Sequence, residues 1–130
     1  MFAIGDIASI YCPIAGYPKY HLCICVGTNG AASQFIFLNS DPDFDGLFVC
    51  PCERVPCVPK SETGVTAFSF TAIPRYNDKQ LALYKAKKLG VIDGVLATEI
   101  NKFVSDRNNL KALNSTEVRV VQAAFKIMCA

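Results

Sequence analysis

The spacing of apolar residues along this chain changes near Ile73-Pro74-Arg75. Before that point, short runs of β-branched, aromatic and cysteine residues are separated by Gly, Pro, Asn and Asp, which is typical of short antiparallel strands. After it, apolar residues recur three and four positions apart, which indicates helices. The pattern therefore predicts an α+β fold in which a small, strongly bent antiparallel sheet is followed by three helices.

Five strands are predicted before the change, over residues 7–11, 20–26, 34–38, 47–50 and 65–73. The run over 20–26 is the strongest candidate because it is short, apolar and closed by turn residues. Asn29-Gly30 is a good signal for a tight turn after it. The segment 13–18 is predicted to be a loop because it contains two prolines and Gly16.

Three helices are predicted after residue 76. The first begins at residue 77 or 78, runs through 89 and is ended by Gly90. Asp93 can cap the second, and Asn114 with Glu117 has the spacing of a capping box at the start of the third. The apolar faces of the second and third helices comprise Leu96, Ile100, Phe103 and Val104, and Val118, Val121, Phe125 and Met128, respectively.

Length and composition limit the class of protein. The 130 residues fit one domain, with a sheet over 3–76, helices over 77–105 and a further helix over 114–128. Apolar residues make up 52% and charged residues 18%, which excludes disorder. No apolar segment reaches the roughly 20 residues that span a bilayer, and the N-terminus lacks the basic region of a signal peptide. A net charge of +2 argues against a strongly basic nucleic-acid binder but allows a local patch.

The chain has seven cysteines, an odd number, and no visible export signal. Reduced thiols in a cytoplasmic protein are therefore the simplest interpretation. Cys23 with Cys25, and Cys50 with Cys52, form C-x-C pairs that could converge on a metal ion. Structural zinc sites more often use C-x₂₋₄-C on turns, so buried thiols in apolar strands are favoured over zinc.

Residues 41–46 resemble the first half of a calcium-binding loop. An EF-hand loop needs a bidentate Glu at its twelfth position, which is Cys52 in this chain. An acidic hairpin loop is the better interpretation. No metal ion and no other cofactor is therefore predicted.

His21 is the only histidine, and it stands at the head of the strongest predicted strand, two positions after Lys19. Side chains two apart on a strand point to the same face of the sheet. Histidine titrates near neutral pH without perturbation. At the mouth of a groove, this pair would supply a proton-transfer group and a cation for a phosphate. The alternative is a structural histidine at a strand end that makes one ordinary hydrogen bond.

Three further residues are candidates for binding a substrate. Ser61-Glu-Thr63-Gly64 offers hydroxyl groups on a flexible turn. Arg75 can pair with phosphate and Tyr76 can stack on a base. The alternative for Arg75 is a surface side chain that lies over Tyr76.

The order of several short motifs resembles the PemK/MazF toxin family over residues 3–105. These motifs are Gly5-Asp6-Ile7, the apolar strand over 20–26, Phe37-Leu-Asn-Ser40, Thr63-Gly64-Val65, and Leu89-Gly90-Val-Ile followed by Leu96, Ile100 and Val104. The resemblance implies a compact SH3-like barrel with appended helices and a homodimer. It also implies metal-free cleavage of single-stranded RNA and an antitoxin protein that blocks the groove.

On this resemblance, His21, Lys19 and Ser40 would be the catalytic residues, and Arg75, Tyr76 and Thr63 would bind the RNA. The chain departs from the family pattern at two places. The family's second strand usually begins with Arg-Pro, where this chain has Tyr20-His21, and residues 66–69 carry no charge. Replacement of that arginine by Lys19 or His21 is a hypothesis. The missing charges after Gly64 favour an alternative function, a non-catalytic barrel module that binds a protein partner or nucleic acid. A small metal or redox protein that uses the thiols is a third hypothesis.

Overall fold

A computed structural model describes residues 1–42 and 45–129 of the chain. Seven strands form one antiparallel sheet: β1 (Asp6–Cys12), β2 (Tyr17–Cys25), β3 (Ser33–Asn39), β4 (Leu47–Pro51), β5 (Val65–Ser69), β6 (Arg75–Tyr76) and β7 (Lys87–Val91). The strand order is β4-β5-β3-β2-β1-β7, and β6 pairs with the start of β3. Within these residues β4 and β7 do not pair with each other, so the sheet is open at both edges.

Three helices accompany the sheet: α1 (Asp78–Leu83), α2 (Gly94–Ser105) and α3 (Ser115–Met128). Short 3₁₀ turns cover Cys52–Arg54 and Arg107–Leu110. The α+β class is therefore confirmed. The predicted turn at Asn29-Gly30 is also confirmed, and both residues have positive φ, 54° and 84°.

The main core lies between one face of the sheet and the helices α2 and α3. The predicted apolar faces of both helices are turned inward, and Ile100, Val121 and Phe125 are completely buried. The Phe70 ring lies 5.9 Å from both the Phe103 and the Phe125 ring, and so joins the sheet to the two helices. Burial of these apolar side chains is the main source of stability for this half of the molecule.

The caps of the two long helices are those that the sequence predicts. The Asp93 carboxylate accepts a hydrogen bond from the N–H of Leu96 at 3.1 Å. The Asn114 side chain accepts from the N–H of Glu117 at 2.9 Å, and the Glu117 side chain accepts from the N–H of Asn114 at 3.0 Å. This capping box fixes where α3 begins.

Asn114→Ala is expected to lower the free energy of unfolding by about 1 kcal/mol, because the N–H of Glu117 loses its acceptor at the helix start. Urea unfolding followed by far-UV circular dichroism measures the change. Asn114→Asp keeps an acceptor oxygen and serves as the matched control, with a change of less than half that size. Equal losses in the two variants would show that the cap does not stabilise α3.

The prediction for the first helix was wrong beyond residue 83. The chain leaves α1 through Lys85, which has a φ of 52°, and then forms β7 along the exposed edge of β1. Gly90 belongs to that strand and does not end a helix. An added Cβ there would lie 2.9 Å from the Cβ of Cys57, so the close approach of the Cys57 side chain explains the glycine.

Two strand boundaries also differ from the prediction. β2 begins at Tyr17, so the predicted loop over 13–18 is a turn that ends before it. β5 ends at Ser69; the N–H of Phe70 still donates to the carbonyl of Gly46, just before β4, and the Phe70 ring enters the main core. The first shift moves His21 from the head of a strand to its middle.

A second, smaller apolar cluster covers the opposite face of the sheet. Its buried members are Ala8, Ile10, Cys23, Phe35 and Leu81, and Phe2, Tyr76, Tyr84 and Ala86 pack against them. Leu81 belongs to α1, so this short helix packs on this face of the sheet. Both faces of β2 are consequently buried in its middle.

A cleft lined by lysines, tyrosines and hydroxyl groups

A cleft of about 480 Å³ opens at one end of the sheet, where β2 begins, β3 ends and β5 begins. Its lining comes from residues 17–20, 38–41, 58–61 and 65–66. Tyr20 is paired with Leu38 across β2 and β3, which sets these two strand ends side by side. The fourth wall is the irregular segment between β4 and β5.

Two side-chain hydroxyl groups and one backbone N–H hold that irregular wall in place by hydrogen bonds. The Ser61 hydroxyl donates to the carbonyl of Val65 at 2.6 Å, and the Thr63 hydroxyl donates to the carbonyl of Ser40 at 2.5 Å. The N–H of Gly64 donates to the carbonyl of Ser61 at 3.2 Å, in a turn where Gly64 has a φ of 77°. A glycine suits this turn because other residues rarely adopt a positive φ.

The cleft carries more positive than negative charge. Lys19 and Lys60 line it, and Asp41 is the one carboxylate among the lining residues that the structure describes. The side-chain hydroxyl groups along the walls belong to Tyr17, Tyr20, Ser40, Ser61 and Thr66. Tyr17 is 58% exposed, so its ring is accessible to a ligand. Cations, hydroxyls and accessible aromatic rings together suit an anionic ligand with flat groups.

The ammonium group of Lys19 lies over an aromatic ring, Phe37, that is not part of the cleft lining. Its Nζ lies 4.7 Å from the centroid of the Phe37 ring, within the range of a cation–π interaction. The His21 ring contacts the same Phe37 ring, with centroids 4.8 Å apart. The prediction that Lys19 and His21 share one face of the sheet is therefore confirmed.

His21 itself does not line the cleft, and its side chain is completely buried. Its Nδ1 lies 2.9 Å from the carbonyl oxygen of Lys19, and its Nε2 lies 3.0 Å from the hydroxyl of Tyr76. A carbonyl only accepts, so Nδ1 carries the proton and Nε2 accepts from Tyr76. Phe35, Phe37 and Tyr76 surround the ring.

Burial lowers the pKa of His21 to about 4, because the charged ring would lose its hydration. The ring is therefore neutral at pH 7, and both of its nitrogens already have partners. This corrects the expected position of His21 at the mouth of a groove. The physical reason is the earlier start of β2, which places His21 in mid-strand between two covered faces.

Arg75 and Tyr76 lie at the other end of β3 from the cleft. β6 pairs with the beginning of β3, where Tyr76 is opposite Ser33, whereas Ser40 follows the last residue of β3. Arg75 is exposed and its Nη2 lies 3.6 Å from Oε2 of Glu117. Burial raises the pKa of Tyr76 to about 12. Neither residue is placed to contact a ligand in the cleft.

Of the six candidate residues, Lys19 and Ser40 line the cleft, and Thr63 lies behind the lining with its hydroxyl on the Ser40 carbonyl. His21, Arg75 and Tyr76 do not line it. Three lining residues were missed in the sequence: Tyr17, Tyr20 and Lys60. The run Tyr17-Pro-Lys-Tyr20 interleaves aromatic and basic residues, which is a usable signal for nucleic-acid binding. Lys60 lies in a proline-rich segment and gave no comparable signal.

The cysteines do not assemble into a common site. Within residues 1–42 and 45–129, no group of three or more His, Cys, Asp or Glu side chains is arranged to hold a metal ion. Burial raises the pKa of Cys23 to about 11 and also raises the pKa values of Cys50 and Cys57. Residues 43 and 44, which belong to the calcium-like segment 41–46, lie outside the described residues.

Comparison with protein-family models found no match, and no curated protein matches the chain. The similarity to the PemK/MazF family therefore stays a prediction that depends on the order of short motifs. None of the helices in the described chain is long and apolar enough to cross a bilayer.

Proposed function

We propose that this chain binds single-stranded RNA in the cleft, as a non-catalytic relative of the PemK/MazF toxins. The observation that carries the proposal is the presence of Lys19, Lys60, Tyr17 and Tyr20 around one cleft with several hydroxyl groups. Lysines attract phosphates, tyrosine rings stack on unpaired bases, and hydroxyl groups can bond a 2′-hydroxyl. These three contacts together match a single-stranded ribonucleotide chain.

The size of the cleft supports a single strand over a duplex. Its volume of about 480 Å³ is within the range of sites that enclose small molecules. It can take a short piece of an unpaired strand but not a double helix. The described lining contains two lysines against one carboxylate, so the local charge favours a polyanion although the whole chain has a net charge of only +2.

An SH3-like barrel is part of this proposal. The segment after β4 supports it, because that segment approaches β7 at the opposite edge of the sheet. The N–H of Cys52 donates to the carbonyl of Gly64 beside β5, while Cys57 packs against Gly90 of β7. Residues 52–57 thus run from the end of β4 to the face of Gly90 in β7, as expected for a strongly curled sheet. The antitoxin partner and the homodimer belong to the same proposal.

RNA cleavage is the second candidate, since Ser40, Lys60 and Asp41 line the same cleft. Metal-free cleavage needs a base for the 2′-hydroxyl and a cation for the phosphate charge. A carboxylate and a lysine of the cleft could supply them, whereas His21 has no free nitrogen. Incubation of mixed-sequence single-stranded RNA with excess protein in EDTA separates the candidates. Intact RNA supports binding alone, and cleavage that Ser40→Ala or Asp41→Asn removes supports the nuclease.

Lys60→Glu is expected to weaken RNA binding by about tenfold at low salt, because an attractive charge in the cleft becomes repulsive. The salt dependence of the binding constant should also decrease by about one phosphate contact. Fluorescence anisotropy with a labelled single-stranded RNA, measured in EDTA at several salt concentrations, tests both effects.

Lys79→Glu is the matched control for that experiment, because it makes the same charge change on an exposed residue of α1 that does not line the cleft. Its RNA affinity should change less than twofold. If both variants weaken binding equally, the effect is one of net charge and the cleft is not the site. If the native protein does not bind the RNA at low salt, the proposed function is wrong.

A further inference from the structure

β7 forms one edge of the sheet and pairs only with β1 in the described part of the chain. The N–H of Ile92 donates to the carbonyl of Gly5 at 2.9 Å, which marks a hydrogen-bonded position of the ladder. The neighbouring residue in an antiparallel pair turns its N–H and C=O away from the partner strand. Val91 therefore directs its backbone groups outward, where another strand can bond to them.

A notch of about 200 Å³ lies beside this edge. Its walls come from the backbone and side chains of residues 54–57 and 90–93, with Ile7 at the base. Most of the lining is apolar, including Val55, Pro56 and Ile92. A residue paired with Gly90 from an added strand would point its side chain to the same face as this notch. The notch is therefore placed to take one apolar side chain of that strand.

The charged groups around the edge decide which kind of strand fits. Lys85 and Lys87 are exposed, and Lys88 is exposed but lies 3.3 Å from Oδ1 of Asp6. Arg54 at the notch is held in a two-pronged ion pair with Glu99, at 2.9 and 2.6 Å. The Asp93 carboxylate, also at the notch, accepts from the N–H of Leu96. The charges without a described partner along the strand are thus positive.

A second copy of the chain is a poor occupant of this edge. Pairing two β7 strands would bring four lysines into one two-stranded ribbon, and no residue of β7 is acidic. Lysines on an edge strand also hinder unselective pairing with other sheets. A strand that carries its own carboxylates avoids this repulsion and gains main-chain hydrogen bonds.

We propose that the β7 edge binds an extended acidic peptide segment, which adds as a further strand beside Val91 and inserts one apolar side chain into the notch formed by residues 54–57 and 90–93. This site is separate from the cleft, and the proposal does not depend on RNA binding. The main-chain bonds supply affinity, while the lysines and the notch supply selectivity.

The test uses capped synthetic nonapeptides and titration calorimetry with the full chain. The first peptide alternates glutamate with valine, the second alternates lysine with valine, and the third replaces alternate valines of the first by proline. Saturable binding with a dissociation constant below about 1 mM is expected for the first peptide alone. Proline removes the N–H groups that a ladder needs, so the third peptide tests strand addition without altering the protein.

Two variants locate the binding on the protein. Lys87→Glu should weaken binding of the first peptide about fivefold, whereas Lys102→Glu, on α2, should leave it unchanged. Val91→Pro should weaken binding about tenfold, because it removes the outward N–H of the edge. Thermal unfolding checks that the Val91 variant folds, and Val91→Thr, which keeps the N–H, is its control.

Several results would overturn the proposal. One is that the glutamate–valine peptide does not bind, and another is that the lysine or the proline peptide binds as tightly as it does. A third is that this peptide has the same affinity for Lys87→Glu as for the native protein. Analytical sedimentation of the native chain supplies a fourth such result. If the native chain is a dimer and Val91→Pro dissociates it, then a second copy of the chain occupies the edge. RNA affinity should be the same in Lys87→Glu and the native protein, so failure here is distinguishable from failure at the cleft.

Discussion

His21→Ala is expected to lower the free energy of unfolding by about 3 kcal/mol while RNA affinity of the folded protein stays unchanged. The substitution removes a completely buried ring and leaves a cavity among Phe35, Phe37 and Tyr76. It also leaves the Tyr76 hydroxyl without its partner in an apolar environment. Urea unfolding by far-UV circular dichroism and RNA binding by anisotropy measure the two quantities on the same samples.

Two further variants separate the cavity from the hydrogen bond. Tyr76→Phe removes only the hydroxyl and should cost about 1 kcal/mol. The double variant His21→Phe with Tyr76→Phe replaces both polar partners by rings of similar size, and it should be more stable than His21→Ala by about 2 kcal/mol. A His21→Ala protein that keeps native stability but loses RNA affinity or RNA cleavage would contradict the structural role. His21 would then be a residue of the functional site.

Acidification is expected to reduce the free energy of unfolding by about 3 kcal/mol between pH 6.5 and pH 4 through His21 alone. The pKa of His21 falls from 6.5 in the unfolded chain to about 4 in the folded protein. Well above pH 6.5 neither state binds the proton, so the full stability is present. Between pH 6.5 and pH 4 the unfolded chain binds a proton that the folded protein does not bind. This favours unfolding by up to about 1.4 kcal/mol for each pH unit.

The measurement is a series of urea unfolding curves between pH 7.5 and pH 4. His21 is the only histidine of the chain, so subtraction of the double variant His21→Phe with Tyr76→Phe isolates its contribution. That variant should show a much flatter pH dependence in this window. The same slope in both proteins would mean that His21 titrates normally and is not enclosed as described.

The position of a strand boundary determines whether a candidate site residue is exposed or buried. The alternation of Lys19 and His21 on one sheet face follows from the strand period and was predicted correctly. Whether His21 lies at a rim or in a core depends on where β2 begins, and Pro18 in the sequence favoured a loop up to that point. The proline is accommodated near the end of the strand, and the histidine moves inward.

The first helix shows that local apolar spacing does not predict pairing between distant segments. Residues 77–89 satisfy helix spacing and end at a glycine, yet only six of them form α1. Residues 87–91 pair with β1 instead, an interaction between residues 78 to 85 positions apart that local spacing does not encode. Tertiary pairing can override a modest helix preference, because a sheet edge offers a full set of backbone hydrogen bonds.

The sequence by itself determined the α+β class, the starts of α2 and α3 and their buried faces, because apolar periodicity and capping residues act over a few neighbouring positions. Only the tertiary structure decided which polar residues share a cleft. Lys19, Ser40 and Lys60 meet there through strand pairing and a returning loop, while His21 is sealed between Phe37 and Tyr76. Contacts between distant segments depend on the register of the whole sheet, and no short stretch of sequence carries that information.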